Sequence, residues 1–138
     1  MDELHFAQTL TPKELETLED LGEPATFAEG EEIFTEGESS DRVLLVQEGR
    51  VRVIARAPSG QDVQLAERGP GELLGDLSGI DGRPRSASVV ALEDVAGLVV
   101  PLRAFRGFLM DHPRVAISLL ELVSRRLRES DARRVEGA

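Results

Sequence analysis

Cysteine is absent from all 138 residues, so no disulfide framework, thiolate metal site or cysteine nucleophile can exist. Histidine is nearly absent too. His5 and His112 are the whole supply, too few to gather around a catalytic metal, and both are expected at the surface. No stretch approaches the ~18 apolar residues that span a bilayer. The start, MDELHFAQTL, lacks the basic residues and apolar run of a secretory leader. A cytoplasmic location without membrane contact is therefore expected. Base is scarce at the front of the chain, where residues 1–41 hold little beyond Lys13, and the net charge is −10. An acidic domain repels a polyanion, so direct binding to nucleic acid is not expected. The arginine-rich stretch 103–134 reads as a solvated helix face, laced with Glu121, Glu129 and Asp131. Neither a nucleophile with a histidine base nor a recognisable pair of carboxylates is present, so no catalytic residue and no metal site is assigned.

What is present divides the chain by period. Thr11, Pro12 and Glu14 form a helix start: a hydroxyl cap, a proline at the first helical position and a glutamate three residues after the cap. Leu15, Leu18 and Leu21 share one face, which predicts a helix to about residue 20 before Gly22 and Pro24 end it. From Ala25 onward the period shortens. Residues 32–34, 43–47, 51–57, 63–67, 86–92 and 95–100 favour strands, with Gly30, Gly37, Gly49, Pro58, Gly60 and Gly69-Pro70-Gly71 between them. Six or more short strands at this spacing imply a sandwich, jelly roll or barrel. Beyond Pro101 helical spacing returns in Leu102, Phe105 and Leu109, then in Val115, Leu119, Leu122 and Leu127, with Asp111 and Pro113 marking the break between two helices. No repeat and no long linker interrupts the order. Residues 1–138 are expected to form one domain: a helix within 1–22, a β-roll over 23–100 and helices over 101–136.

Between residues 69 and 88 the chain reads GPGELLGDLSGIDGRPRSAS. Its glycines are first of all turn residues. Gly75, however, opens a short segment of helical character whose first N–H groups would converge on an anion. Arg85 follows a Gly-x-Pro turn at the head of an apolar strand, placed to add a guanidinium to that cradle. In order and spacing, Gly75, Asp76, Leu77, Arg85, Ser86, Ala87 and Ser88 resemble the phosphate-binding cassette of the cyclic-nucleotide-binding domain family, here spanning residues 71–88. Upstream, FAEGEEIFTEGESSDRVLLVQEGRVRV resembles that family's second signature through Phe27, Gly30, Ile33, Phe34, Gly37, Asp41, Gly49, Val51 and Val53.

The resemblance implies a mostly β fold with flanking helices: a jelly-roll-like β-roll, one N-terminal helix and C-terminal helices that act as a lid. It implies a regulatory sensor with a cyclic nucleotide as ligand and no catalytic cofactor. Arg85 would pair with the phosphate oxygens. The Ser86 and Ala87 N–H groups and the Ser86 hydroxyl would add donors, Gly75 would admit the ligand to the backbone, and Asp76 would take the ribose 2′-hydroxyl. Leu77 belongs to the same cassette. Ser86, where threonine is linked to cGMP, favours cAMP, and Ser130 in the segment 125–131 would stand near the purine. Two positions depart from the family pattern. Asp76 replaces glutamate and retracts the carboxylate by about 1.5 Å, and Gly79 replaces an apolar residue, leaving Ile80 or Leu77 to couple the cassette to the helices. Leu119, Leu122 and Leu127 are expected in the core or in the seam of a homodimer formed through the last helix. A metal-dependent cupin enzyme, which shares the architecture, would need clustered histidines. The chain stops at Ala138, before any helix-turn-helix. Three readings therefore stand: a nucleotide sensor, an interaction scaffold that no longer binds nucleotide, or the regulatory half of a transcription factor without its DNA-binding domain.

Overall fold

Thr11 caps the first helix as its neighbours dictate. Its hydroxyl accepts the Glu14 N–H at 3.1 Å, and the Glu14 carboxylate accepts the Thr11 N–H at 2.8 Å, so two orphan donors are satisfied reciprocally. This helix, α1 (Pro12–Leu21), follows a 3₁₀ turn at Phe6–Thr9, which four residues without periodicity could not announce. The structure is a computed structural model and describes residues 5–75 and 80–136, with side chains as far as Glu129.

Eight strands follow among the described residues: β1 (Glu23–Phe27), β2 (Glu32–Phe34), β3 (Arg42–Glu48), β4 (Val51–Arg56), β5 (Asp62–Arg68), β6 (Leu73–Leu74), β7 (Ser88–Ala91) and β8 (Val95–Pro101). They form two four-stranded sheets, ordered β1-β8-β3-β6 and β2-β7-β4-β5, with antiparallel pairing throughout. β1 and β6 are additional to the strands expected from sequence. β1 contains Pro24, which an edge strand tolerates, and β6 is two residues long. β7 begins at Ser88 rather than at Ser86. Arg85 therefore precedes the strand instead of heading it.

Side chains alternate across a strand, and β3 shows what the alternation serves. Val43 and Leu45 join Leu98, Phe105, Phe108 and Leu119 beneath the helices. Leu44 and Val46 point the other way and join Phe34, Val51, Leu74 and Val89 between the sheets. A sheet covered on both faces needs a continuous apolar run, and VLLV supplies it. β5, by contrast, is an edge strand and largely exposed.

Two helices close the chain, α2 (Leu102–Asp111) and α3 (Pro113–Glu136). Phe105 is fully buried, so truncating it to alanine would cost about 3–5 kcal/mol. His112 ends α2 with its ring stacked on Phe108 at 4.4 Å between centroids and Nδ1 2.9 Å from the Phe108 carbonyl. It is half-buried, as is His5, so neither is the surface residue expected. Arg114 ties α3 back to the N-terminal elements: its Nη1 donates to the Thr9 carbonyl at 3.0 Å and its Nη2 pairs with Glu14. The Thr11 N–H, helped by Arg114 and opposed by burial, holds the Glu14 carboxyl below the usual carboxylate range.

Candidate anion-binding site

β2 delivers Phe34 into the space between the sheets and then turns sharply. In that turn the Glu38 N–H donates to the Thr35 carbonyl at 3.1 Å, while the Glu38 carboxylate accepts the Thr35 N–H at 3.0 Å. Arg85 is fastened to the same turn by its backbone, donating to the Glu38 carbonyl at 2.9 Å and accepting from Gly37 N–H at 2.8 Å. The extended segment before β7 thus lies against the turn after β2, and the Arg85 side chain has one direction left, inward. Its relative exposure is 4%.

Inside, the guanidinium lies over the Phe34 ring with Cζ 3.6 Å from the centroid, a cation–π contact. Nη2 donates to the Arg42 carbonyl at 2.9 Å. Nε stands 3.4 Å from Glu38 Oε1, close enough for an ion pair, yet it lacks a hydrogen bond of good direction. The Glu38 side chain is 37% exposed, so solvent screens its charge. Burial pushes the Arg85 pKa down, the nearby Arg42 guanidinium adds to that push, and Glu38 and Asp41 oppose it. A guanidinium stays ionised even so. The result is a buried cation that the protein neutralises only in part, an arrangement that favours an arriving anion.

Gly75 faces this cation across the end of β6. Its φ is +86°, and a Cβ there would stand 2.7 Å from Arg85 Nη1 and 3.1 Å from the Arg42 carbonyl. Only glycine leaves that space open. The site is therefore built from two stretches far apart in sequence: Phe34, Glu38 and Arg42 in one, Gly75 and Arg85 in the other.

Among the residues expected from sequence, Gly75 and Arg85 are brought together. Ser86 is exposed and Ala87 half-buried, both directly after Arg85 and ahead of β7. Asp76, Leu77 and Gly79 lie outside the described residues, as does the Ser130 side chain. Ile80 is 47% exposed, so in this conformation it does not pack into the helices as the coupling residue would. Leu119 and Leu122 are buried core, whereas Leu127 is 59% exposed. Glu38 and Arg42 were not expected at the site, and Phe34 was expected only as a family position. A Thr-x-x-Glu spacing at Thr35 and Glu38 was the one local sign of the turn that holds Arg85. No group of three or more His, Asp or Glu that could hold a metal occurs among the described residues.

Comparison with known proteins agrees with this geometry. Residues 24–112 match the cyclic nucleotide-binding domain family. A CRP-like cAMP-activated global transcriptional regulator of Mycobacterium tuberculosis is 32% identical over 124 residues, 90% of this chain and 55% of the regulator. The cyclic AMP receptor protein of Thermus thermophilus is 36% identical over 88% of this chain and 56% of its own. The chain thus spans about half the length of these curated relatives. The crystal structure of the Thermus thermophilus catabolite activator protein superposes with a TM-score of 0.85 at 34% identity, covering 93% of this chain and 60% of that one. A lysophospholipase NTE1 of Phaeosphaeria nodorum also matches, but over 8% of its length. An antiparallel β-roll with flanking helices, a half-neutralised arginine buried beside a left-handed glycine, and these likenesses lead to one conclusion: the chain belongs to the cyclic nucleotide-binding domain family.

Proposed function

We propose that this domain is a cAMP sensor, the regulatory part of a CRP-like transcriptional regulator, and that Arg85 holds the cyclic phosphate. The observation that carries the reading is the state of that arginine: 4% exposed, without a well-directed hydrogen bond on Nε, and beside the only kind of residue that leaves room for a ligand. A phosphodiester brings one negative charge and acceptor oxygens, which is what such a cation lacks. Gly75 admits the ligand, Ser86 and Ala87 supply N–H donors, and Asp76 takes the ribose hydroxyl, with Leu77 in the same cassette. Ser130 contacts the purine in this reading. The names of the bacterial relatives, a cAMP-activated regulator and a cyclic AMP receptor protein, support cAMP over cGMP. The same relatives support a cytoplasmic protein that takes no catalytic cofactor and leaves nucleic acid to a separate domain.

Ile117, Leu120 and Leu127 are 58, 65 and 59% exposed on α3. Residues three and ten positions apart lie close to one helical stripe, and burying it against a second copy makes a homodimer of this domain. Competition binding tests the ligand: cAMP is expected to displace a fluorescent cyclic nucleotide at lower concentration than cGMP, and open-chain 5′-AMP only weakly. Displacement by cGMP at tenfold lower concentration than cAMP, a difference of about 1.4 kcal/mol, would reverse the preference. Failure of every cyclic nucleotide at millimolar concentration would leave the scaffold reading.

A further inference from the structure

Phe34 has two contacts that an ordinary core residue does not. Its face carries the Arg85 guanidinium at 3.6 Å, well inside the ~6 Å range of a cation–π contact. Its Cε2 edge lies 3.2 Å from the point where a Cβ on Gly75 would stand. One ring therefore lies against the phosphate arginine and bounds the space beside the glycine that opens the cassette. The ring is itself held firmly. Phe34 is 2% exposed, packs in the cluster between the sheets and pairs with Val89 across β2 and β7.

Arg85 needs such a support. Among the described residues its guanidinium makes a single well-directed hydrogen bond, from Nη2 to the Arg42 carbonyl. One bond leaves the planar group free to turn about it, and two parallel N–H bonds to a phosphate demand a fixed plane. A flat ring pressed against the guanidinium removes that freedom. Arg42, whose own guanidinium reaches the same ring at 5.1 Å, is paired to Asp41 at 2.8 Å, so it competes weakly for the ring's negative face.

We propose that Phe34 is a positioning residue, a π platform that sets the plane of Arg85 before ligand arrives and thereby tunes affinity for the cyclic phosphate. The proposal rests on the cAMP-binding reading above. Its test uses Phe34→Leu, which keeps an apolar side chain without a π face, and pentafluorophenylalanine incorporated at position 34, which keeps the ring shape and reverses its quadrupole. Each is titrated with cAMP in the wild-type and Arg85→Lys backgrounds. Both are expected to weaken binding by roughly 5- to 30-fold when Arg85 is present, and by less than about threefold when lysine, which has no plane to orient, replaces it. Equal losses in the two backgrounds would mean a merely structural role, and unchanged affinity would mean none; either overturns the proposal.

A second measurement needs no ligand. In the free protein the Arg85 δ-proton and Nε–Hε resonances are expected to be shifted upfield by the ring and to show hindered guanidinium rotation, and both signs are expected to vanish in Phe34→Leu. If wild type ignores cAMP, the ligand reading falls while these spectra still decide the platform. A freely rotating Arg85 in the wild type would overturn it.

Discussion

Replacing Arg85 by methionine separates what the arginine does for ligand from what it does for the fold. The guanidinium is buried, half neutralised by a screened Glu38, and lacks a well-directed hydrogen bond at Nε. Replacing a buried ion pair by apolar groups of similar volume is often neutral or stabilising by about 1–4 kcal/mol, and the single change approaches that case because the Glu38 it leaves behind is 37% exposed and can be solvated. Against that stands the Nη2 bond to the Arg42 carbonyl, worth about 1.5–3 kcal/mol for a charged donor, and the Phe34 contact, worth about 1–2 kcal/mol. These terms nearly cancel. The ligand-free Arg85→Met protein is therefore expected to keep its stability within about 2 kcal/mol, a shift of no more than roughly 8 °C in Tm for a domain of this size. Binding has no such compensation. A cyclic phosphate left facing backbone N–H groups alone loses about 2–5 kcal/mol, or roughly 30-fold to several thousand-fold in affinity. Thermal melts with and without cAMP read both effects at once: similar apo Tm values, and a ligand-induced rise in the wild type only. An apo Tm lowered by more than about 15 °C would refute the reasoning, because Arg85 would then be a net contributor to the fold rather than a charge awaiting its partner.

Gly75→Ala is expected to cost about 1–3 kcal/mol of stability, since its φ of +86° strains any other residue, and to weaken cAMP at least about tenfold because the new methyl meets Arg85 Nη1; melts and calorimetry read both. Leu120→Glu, at a site 65% exposed on α3, is expected to convert a dimer to a monomer in sedimentation and to remove the dependence of Tm on protein concentration. Glu14 has its carboxyl pKa held below the ordinary 4.5, so its contribution to stability is complete above that pH and disappears as pH falls through the lowered folded value. The Tm advantage of wild type over Glu14→Gln is thus expected at pH 7 and lost once pH falls below the lowered folded value, and a difference that persists unchanged in acid would count against the Thr11–Glu14–Arg114 link.

Much of the architecture was legible because burial leaves a period in the sequence. The α1 start followed from Thr11, Pro12 and Glu14, and β3 was expected as a strand, though that its sheet is covered on both faces became plain only in the structure. β1 escaped because Pro24 reads as a break until the strand is known to lie at an edge. The site was legible in part. Gly75 and Arg85 stand within one motif, which the glycine turn and the family resemblance singled out, and the structure brings the two together. The rest of the cluster around Arg85 was not legible, because Phe34, Glu38 and Arg42 reach it across 43–51 residues of chain, through a turn whose approach to β7 is a tertiary fact. Sequence spacing also suggested that Leu119, Leu122 and Leu127 share a role. The structure divides them: the first two face the core, and Leu127 stands at 59% exposure. Ile80, offered as a coupling residue, is instead 47% exposed.

Arg85 is proposed to hold the cyclic phosphate of the ligand. Calorimetric titration of cAMP into the wild-type domain and into Arg85→Ala, side by side, tests it most directly. Saturable binding of one cAMP per chain is expected in the wild type, with a loss of roughly 30-fold or more in the variant. Equal binding by the two proteins, or no binding by wild type at millimolar cAMP, would contradict it.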